Sequence, residues 1–171
     1  MRRRNKYGNL KVTVDGQTFD SKGEYRRFHM LSVMQGQGEV RNLELHKRFK
    51  FTQLKSIRSG QELHCQPDFV YELRIDEHVQ LKKITGDDGL DSWDLASYVR
   101  KNLSEYEPAT LIHDIVEDGV VDIWVRIIED FKSKATFDRS DFMWKFACLK
   151  YFYPGYRQQV SFKGGRIHAM V

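Results

Sequence analysis

The sequence predicts a mixed α/β domain, and three observations carry that reading. Tyr25, Phe28, Leu31 and Met34 recur at three-residue steps, the stripe of one amphipathic helix. Phe142, Phe146, Leu149 and Tyr153 repeat the pattern near the other end of the chain. Between them, Val120–Lys132 is a long run rich in β-branched and aromatic residues, the most strand-like segment present. A helix, several strands, a helix and a last strand make an α/β or α+β arrangement.

The elements follow in order. Residues 1–9 are polar and basic and are expected to be a flexible arm ahead of a single domain over 10–171. Lys11–Val14 reads as a short strand, with Asp15-Gly16 as its turn. Ser21, followed three residues on by Glu24, is a capping box that opens the first helix, which Gly36 and Gly38 end. His46–Leu54 reads as a strand with Phe49 and Phe51 on one face. Glu62–Leu73 reads as a second, continuing toward Leu81. Ser92–Leu103 predicts a short helix, and Glu117-Asp118-Gly119 a hairpin turn before Val120–Lys132. Asp138–Tyr153 is the second long helix, stopped by Pro154-Gly155, and Tyr156–Phe162 is the last strand. Trp144, Tyr151 and Tyr153, at near-helical spacing, are expected in the core.

A chain of 171 residues is long enough to bury a core without disulfides or metal staples. Cys65 and Cys148 form no disulfide framework and neither lies in a CxxC pattern. No apolar run approaches the roughly 20 residues of a membrane span. The charged start is followed by no apolar stretch of a secretory signal, so a cytoplasmic protein with no membrane partner is expected.

The formal charge is only +4, but its distribution is uneven. Residues 72–130 hold 15 acids against 6 bases, a net −9, and the remainder holds 22 bases against 9 acids, a net +13. Basic surface of this extent is the electrostatic footprint of a phosphate-backbone binder. Lys22, Arg26 and Arg27 on the first helix, with Lys134, Arg139 and Lys145 near the second, are the candidate DNA contacts.

Pro67-Asp68 lies in the second predicted strand, and Asp130-Phe131-Lys132 ends the third. Residues two apart on a strand share a face, so Asp130 and Lys132 point one way while Glu129 and Phe131 point the other. Carboxylates supply the hard oxygen ligands that Mg²⁺ prefers, and a lysine beside them offsets negative charge on a phosphate in reaction. Glu24 would complete the set, although its capping role alone also accounts for it. The six histidines show no metal-ligand spacing and read as ordinary surface or core residues.

This order of features resembles the PD-(D/E)xK nuclease superfamily. The stretch Val14–Glu24, with Gln66-Pro67-Asp68-Phe69-Val70-Tyr71 and Ile128-Glu129-Asp130-Phe131-Lys132, is similar to a phage family of small Holliday-junction-resolvase-like endonucleases. The likeness covers about 10–73 and 120–162. It implies a restriction-endonuclease-like core of helix, three strands, helix and strand, with an inserted acidic helix and hairpin over 74–119. It further implies Glu24, Asp68 and Asp130 as ligands of Mg²⁺ or Mn²⁺, and Lys132 as the catalytic base or water-positioning group. The expected activity is metal-dependent hydrolysis of branched or Holliday-junction DNA by a homodimer. Two departures stand out: Ser133 replaces the usual glycine after D-x-K, and 74–119 replaces a short hairpin. The insert is expected to face away from DNA and to serve as a dimer arm or a protein contact. A nuclease of linear or single-stranded DNA, and a non-catalytic DNA-binding recombination accessory protein, are the alternative expectations.

Overall fold

A computed structural model describes residues 11–85, 91–132, 140–162 and 167–169. The expected basic arm over 1–9 lies outside them. The described chain opens with a hairpin of β1 (Val12–Val14) and β2 (Gln17–Phe19). Its two turn residues, Asp15 and Gly16, both have positive φ, as a two-residue hairpin loop that matches strand twist requires. Next come α1 (Lys22–Gly36), β3 (Val40–Leu45), β4 (Phe49–Lys55), β5 (Glu62–Cys65) and β6 (Phe69–Gln80). A small hairpin, β7 (Lys83–Thr85) with β8 (Asp91–Trp93), leads to α2 (Leu95–Asn102), a 3₁₀ turn (Pro108–Thr110) and β9 (Leu111–Glu117). The chain closes with β10 (Val120–Lys132), α3 (Ser140–Phe152), β11 (Arg157–Phe162) and β12 (Ile167–Ala169).

The main sheet runs β12-β11-β10-β6-β3, and β10 is its axis. One edge of β10 pairs antiparallel with β6 from Val120 to Glu129. The other edge is divided: β9 pairs with Val120–Val125, and β11 runs parallel along Ile127–Lys132. Alternate residues of β10 and β6 therefore serve two cores. Val125, Ile127, Phe69 and Tyr71 pack with Leu31 of α1 and Val40 of β3. Val70 and Ile128 face the other way, onto Cys148 and Leu149 of α3 and onto Phe49, Phe51 and Cys65 of the β4–β5 hairpin. At the far end, α2 and the segment after it cover Val79, Val121 and Ile123.

Long strands need long-range pins. Arg41 of β3 lays its guanidinium 4.1 Å from the Trp124 ring centroid of β10. Its Nε donates to Glu72 Oε2 of β6 at 2.6 Å, and its Nη1 donates to Asp114 of β9. One side chain thus spans four strands. On the opposite face, the Arg27 guanidinium of α1 grips Glu129 of β10 twice, at 2.6 and 2.7 Å. Tyr71 Oη and Gln159 Nε2 donate to the same carboxylate, each at 2.6 Å. Burial by itself would raise the Glu129 carboxyl, but Arg27 outweighs it and holds the group below the ordinary carboxylate range.

Several expectations are corrected. Glu62–Leu81 is not one strand: Gln66-Pro67 divides it into β5 and β6, since proline cannot donate to the ladder. The first strand of the main sheet is β3, and His46–Leu54 contributes instead to the separate β4–β5 ribbon. β3 is hidden in the sequence because Asn42 adopts φ +54° and breaks the alternation. β2, β7 and β12 lie outside the sequence reading, and Ser92 and Trp93, read as helix, belong to β8, with the helix starting at Leu95. Trp144 and Tyr151 are 45% and 79% exposed, not core, while Tyr153 packs at 4.8 Å on Phe49. Both cysteines are free and buried, and burial pushes the Cys65 thiol up to about 11. Among the described residues, no helix is long and apolar enough to cross a membrane.

Removing one member of a buried ion pair leaves an uncompensated charge and costs about 3–5 kcal/mol. Arg27→Met is therefore expected to lower unfolding free energy by about that amount, read as a fall in the urea midpoint. Arg27→Lys should recover only part of it, because an ammonium cannot reproduce the two-pronged grip.

Candidate metal and catalytic centre

The candidate site lies where the first turn of α1, the entry to β6 and the exit of β10 meet. Ser21 caps α1, its Oγ accepting from Glu24 N at 3.1 Å. Glu24 Oε2 turns back to accept from Asp20 N at 2.9 Å, one residue ahead of the cap. A Cβ on Gly23 would stand 2.5 Å from the Phe131 ring, so this glycine lets the helix start close on the end of β10. Asp68 Oδ2 accepts from Phe131 N at 2.7 Å and so ties the two strand ends together. His46 N donates to Asp68 O at 3.2 Å.

These ties bring all four expected catalytic residues, Glu24, Asp68, Asp130 and Lys132, to one place. Asp130 and Lys132 do share a face of β10: Lys132 Nζ is paired with Asp130 Oδ1 and lies 3.7 Å from Asp68 Oδ2. The Asp68 carboxylate is close enough to Asp130 to oppose its ionisation. Glu129 and Phe131 take the opposite face, toward Arg27 and Gly23. Among the described residues, Glu24 Oε1 has no hydrogen-bond partner although it is buried. Its close neighbour is His46 Nε2, 3.7 Å away.

Ligand atoms of Glu24, His46 and Asp68 all lie within 4.8 Å of one another. Asp130, expected as the third ligand, is on the Lys132 side of Asp68 and outside that trio. His46 is the site residue the sequence did not reveal. Only its place beside a strand break, at φ +51°, brings it to the carboxylates, and no spacing pattern encodes that.

The electrostatics are those of a crowded anionic pocket. Burial, then the nearby Asp68, raises the Glu24 carboxyl to about 7. The same two causes push Asp130 well above its ordinary value. For Lys132, burial opposes the charge, but Asp68 and Asp130 outweigh it and raise the ammonium. A buried, unpartnered carboxylate oxygen beside two more acids suits a divalent cation with hard oxygen ligands. Glu24, Asp68 and His46 are placed to hold one, with Asp130 adjacent.

Of the expected DNA contacts, Lys22, Arg26 and Lys145 are exposed. Arg27 is corrected: its side chain is 9% exposed and committed to Glu129, so it is a structural residue. Lys134 and Arg139, with Ser133, lie outside the described residues. The acidic insert 74–119 supplies the second half of β6, the β7–β8 hairpin, α2 and β9. It packs against Val121 and Ile123. The centre sits toward the opposite end of β10, about 23–30 Å from Ile123 and Val121 at strand rise.

The family described as protein of unknown function (DUF1064) matches residues 4–89, just over half of the chain. That span contains Glu24, His46 and Asp68 but not Asp130 or Lys132. No curated protein and no solved structure matches the chain.

Because the folded Glu24 carboxyl is raised above its unfolded value, it favours the fold at low pH. That stability is lost as pH climbs from about 4.5 toward about 7. In EDTA, Glu24→Gln keeps the cap acceptor and removes the charge. It should raise Tm at pH 8 and leave it nearly unchanged at pH 4.5. Mn²⁺ should raise the wild-type Tm more at pH 8 than at pH 5.5, and Glu24→Gln should blunt that response.

Proposed function

The chain belongs to the DUF1064 family, and we propose that it is a metal-dependent DNA endonuclease, with branched DNA such as a four-way junction as its substrate. One observation carries the proposal: three carboxylates and a lysine from distant parts of the chain converge at one strand end. The succession α1, β3, β6, β10, α3, β11 is compatible with the helix, three strands, helix and strand of the nuclease core that the motifs resemble. It supports the reading without requiring the inserted elements.

Glu24 and Asp68, with His46 and Asp130 beside them, would hold a divalent cation, which would supply the positive charge to polarise a phosphate oxygen and acidify a water. The residues of the chain do the rest. Lys132 is favoured as an ammonium by Asp68 and Asp130 beside it. In that state its role is to orient the attacking water and to neutralise charge growing on the phosphate, and once a cation offsets the acids it is also placed to act as the base. Asp68 is the pivot: one oxygen fixes the Phe131 amide, so the carboxylate keeps its aim. Lys22 and Arg26, exposed on the turn that carries Glu24, suit backbone phosphates next to the scissile one. A four-way junction offers two strands related by two-fold symmetry, so the active form is expected as a homodimer.

Purified protein is incubated in Mg²⁺ or Mn²⁺ with a panel of junction, flap, duplex and single-stranded DNA. Wild type should cut the junction in preference, and EDTA should abolish cutting. Lys132→Ala and Asp68→Asn should each lose about 10²–10³-fold in rate while still binding DNA. Equal inertness of wild type and variants that all bind would show a DNA-binding accessory protein instead. Equal cutting of every substrate would remove the preference for branches.

A further inference from the structure

The strands of the β4–β5 ribbon start and end at the candidate centre. Three residues separate Leu45 from β4, and His46 is the first of them. Asp68 follows β5 by three residues. The His46 N to Asp68 O hydrogen bond and a Gln66 Nε2 to His46 O bond at 3.4 Å close its base. From Leu45 to Gln61 the chain has five bases (Lys47, Arg48, Lys50, Lys55 and Arg58) and no acid. Lys47 is paired with Glu44. The other four are exposed, and among the described residues none of them lies in an ion pair with an acid. Elsewhere Arg27, Arg41 and Arg74 are each matched to a carboxylate. Four exposed bases without an acidic partner thus lie on this one short ribbon beside the centre, with Glu62, opposite Lys55, as the one acid of its two strands.

We infer that the β4–β5 ribbon is a nucleic-acid arm that holds the phosphate backbone of the duplex flanking the site. The inference rests on the nucleic-acid part of the proposed function and names the surface that does the holding. The arm is stiff enough for the task. Phe49, Phe51 and Cys65 bury its inner face against α3, and Tyr153 Oη donates to Lys50 O at 2.7 Å. Its outer face carries Arg48, Lys50 and His64, with Arg48 Nη2 3.2 Å from His64 Nδ1. Seven residues of β4 at strand rise reach about 20–24 Å. That length matches about six or seven base pairs. The acidic extension lies at the opposite end of β10, so the field along the molecule points DNA toward the arm.

The test is equilibrium binding of the full chain in EDTA to a labelled 30-base-pair duplex and to a four-way junction, over a range of salt. The triple variant Lys50→Gln, Lys55→Gln, Arg58→Gln removes exposed charge only, and an unchanged melting curve checks its fold. Binding at low salt should weaken at least tenfold, and the slope of log K against log salt should become shallower by about 2–3. A variant that binds with wild-type affinity and slope overturns the arm and leaves the nuclease reading untouched. A variant that loses self-association but keeps wild-type DNA binding also overturns it, and assigns the charge to a protein contact, such as the acidic extension of a second copy. Wild type that shows the arm's salt dependence but cuts nothing in Mg²⁺ or Mn²⁺ overturns the nuclease reading and leaves the arm standing.

Discussion

The buried pair of Arg27 and Glu129 is the constraint on which the rest of the molecule depends. It joins α1 to the axis strand of the sheet with both partners nearly out of water. Glu24 lies one helical turn before Arg27, and Asp130 is the next residue after Glu129. The pair therefore sets the separation between the two elements that carry the acids. Gly23 against Phe131 completes the same contact one turn away, where a Cβ would overlap the Phe131 ring and force it to shift. Placing a fully ionised carboxylate in a core is unfavourable unless every lone pair is used. Here Arg27 donates to both oxygens, and Tyr71 and Gln159 add two further bonds to Oε2.

Strand alternation turns that structural pair into the frame of the candidate centre. The last residues of β10 read Glu129, Asp130, Phe131, Lys132. Odd positions bind α1, and even positions enter the pocket. The two carboxylates of adjacent residues have opposite electrostatic fates. Glu129 is held ionised by a dedicated cation, while Asp130 shares its surroundings with Asp68 and Glu24 and favours a proton. An assembly of like charges in a buried place is unstable by itself. Protons or a bound cation would balance such a cluster, and Glu24, His46 and Asp68 are close enough together to hold one.

Charge is also sorted along the length of β10. At its start, the acidic extension is pinned by Arg41, which crosses from β3 over Trp124 to Asp114. At its end lie the centre and the basic ribbon. The modest total of +4 hides this polarity because the two ends nearly cancel. A polyanion approaching the protein meets a dipole that orients it before contact.

Periodicity and end signals in the chain were enough to locate both long helices, the 13-residue strand β10 and the turns at Gly16 and Gly119, because these depend on neighbours close in sequence. The acids Glu24, Asp68 and Asp130 and the lysine Lys132 were legible for the same reason: each sits in a short motif with its own local geometry. Tertiary structure alone decided the remainder. β3 is an irregular edge strand whose pairing comes from β6, not from its own pattern. His46 became part of the centre only because the base of a ribbon folds onto Asp68. Arg27 looked like a surface cation on a helix face and proved to be the buried partner of a residue 102 positions away. Local chemistry chose which groups could react; long-range packing chose which of them would meet, because burial and charge pairing depend on neighbours that the sequence does not place side by side.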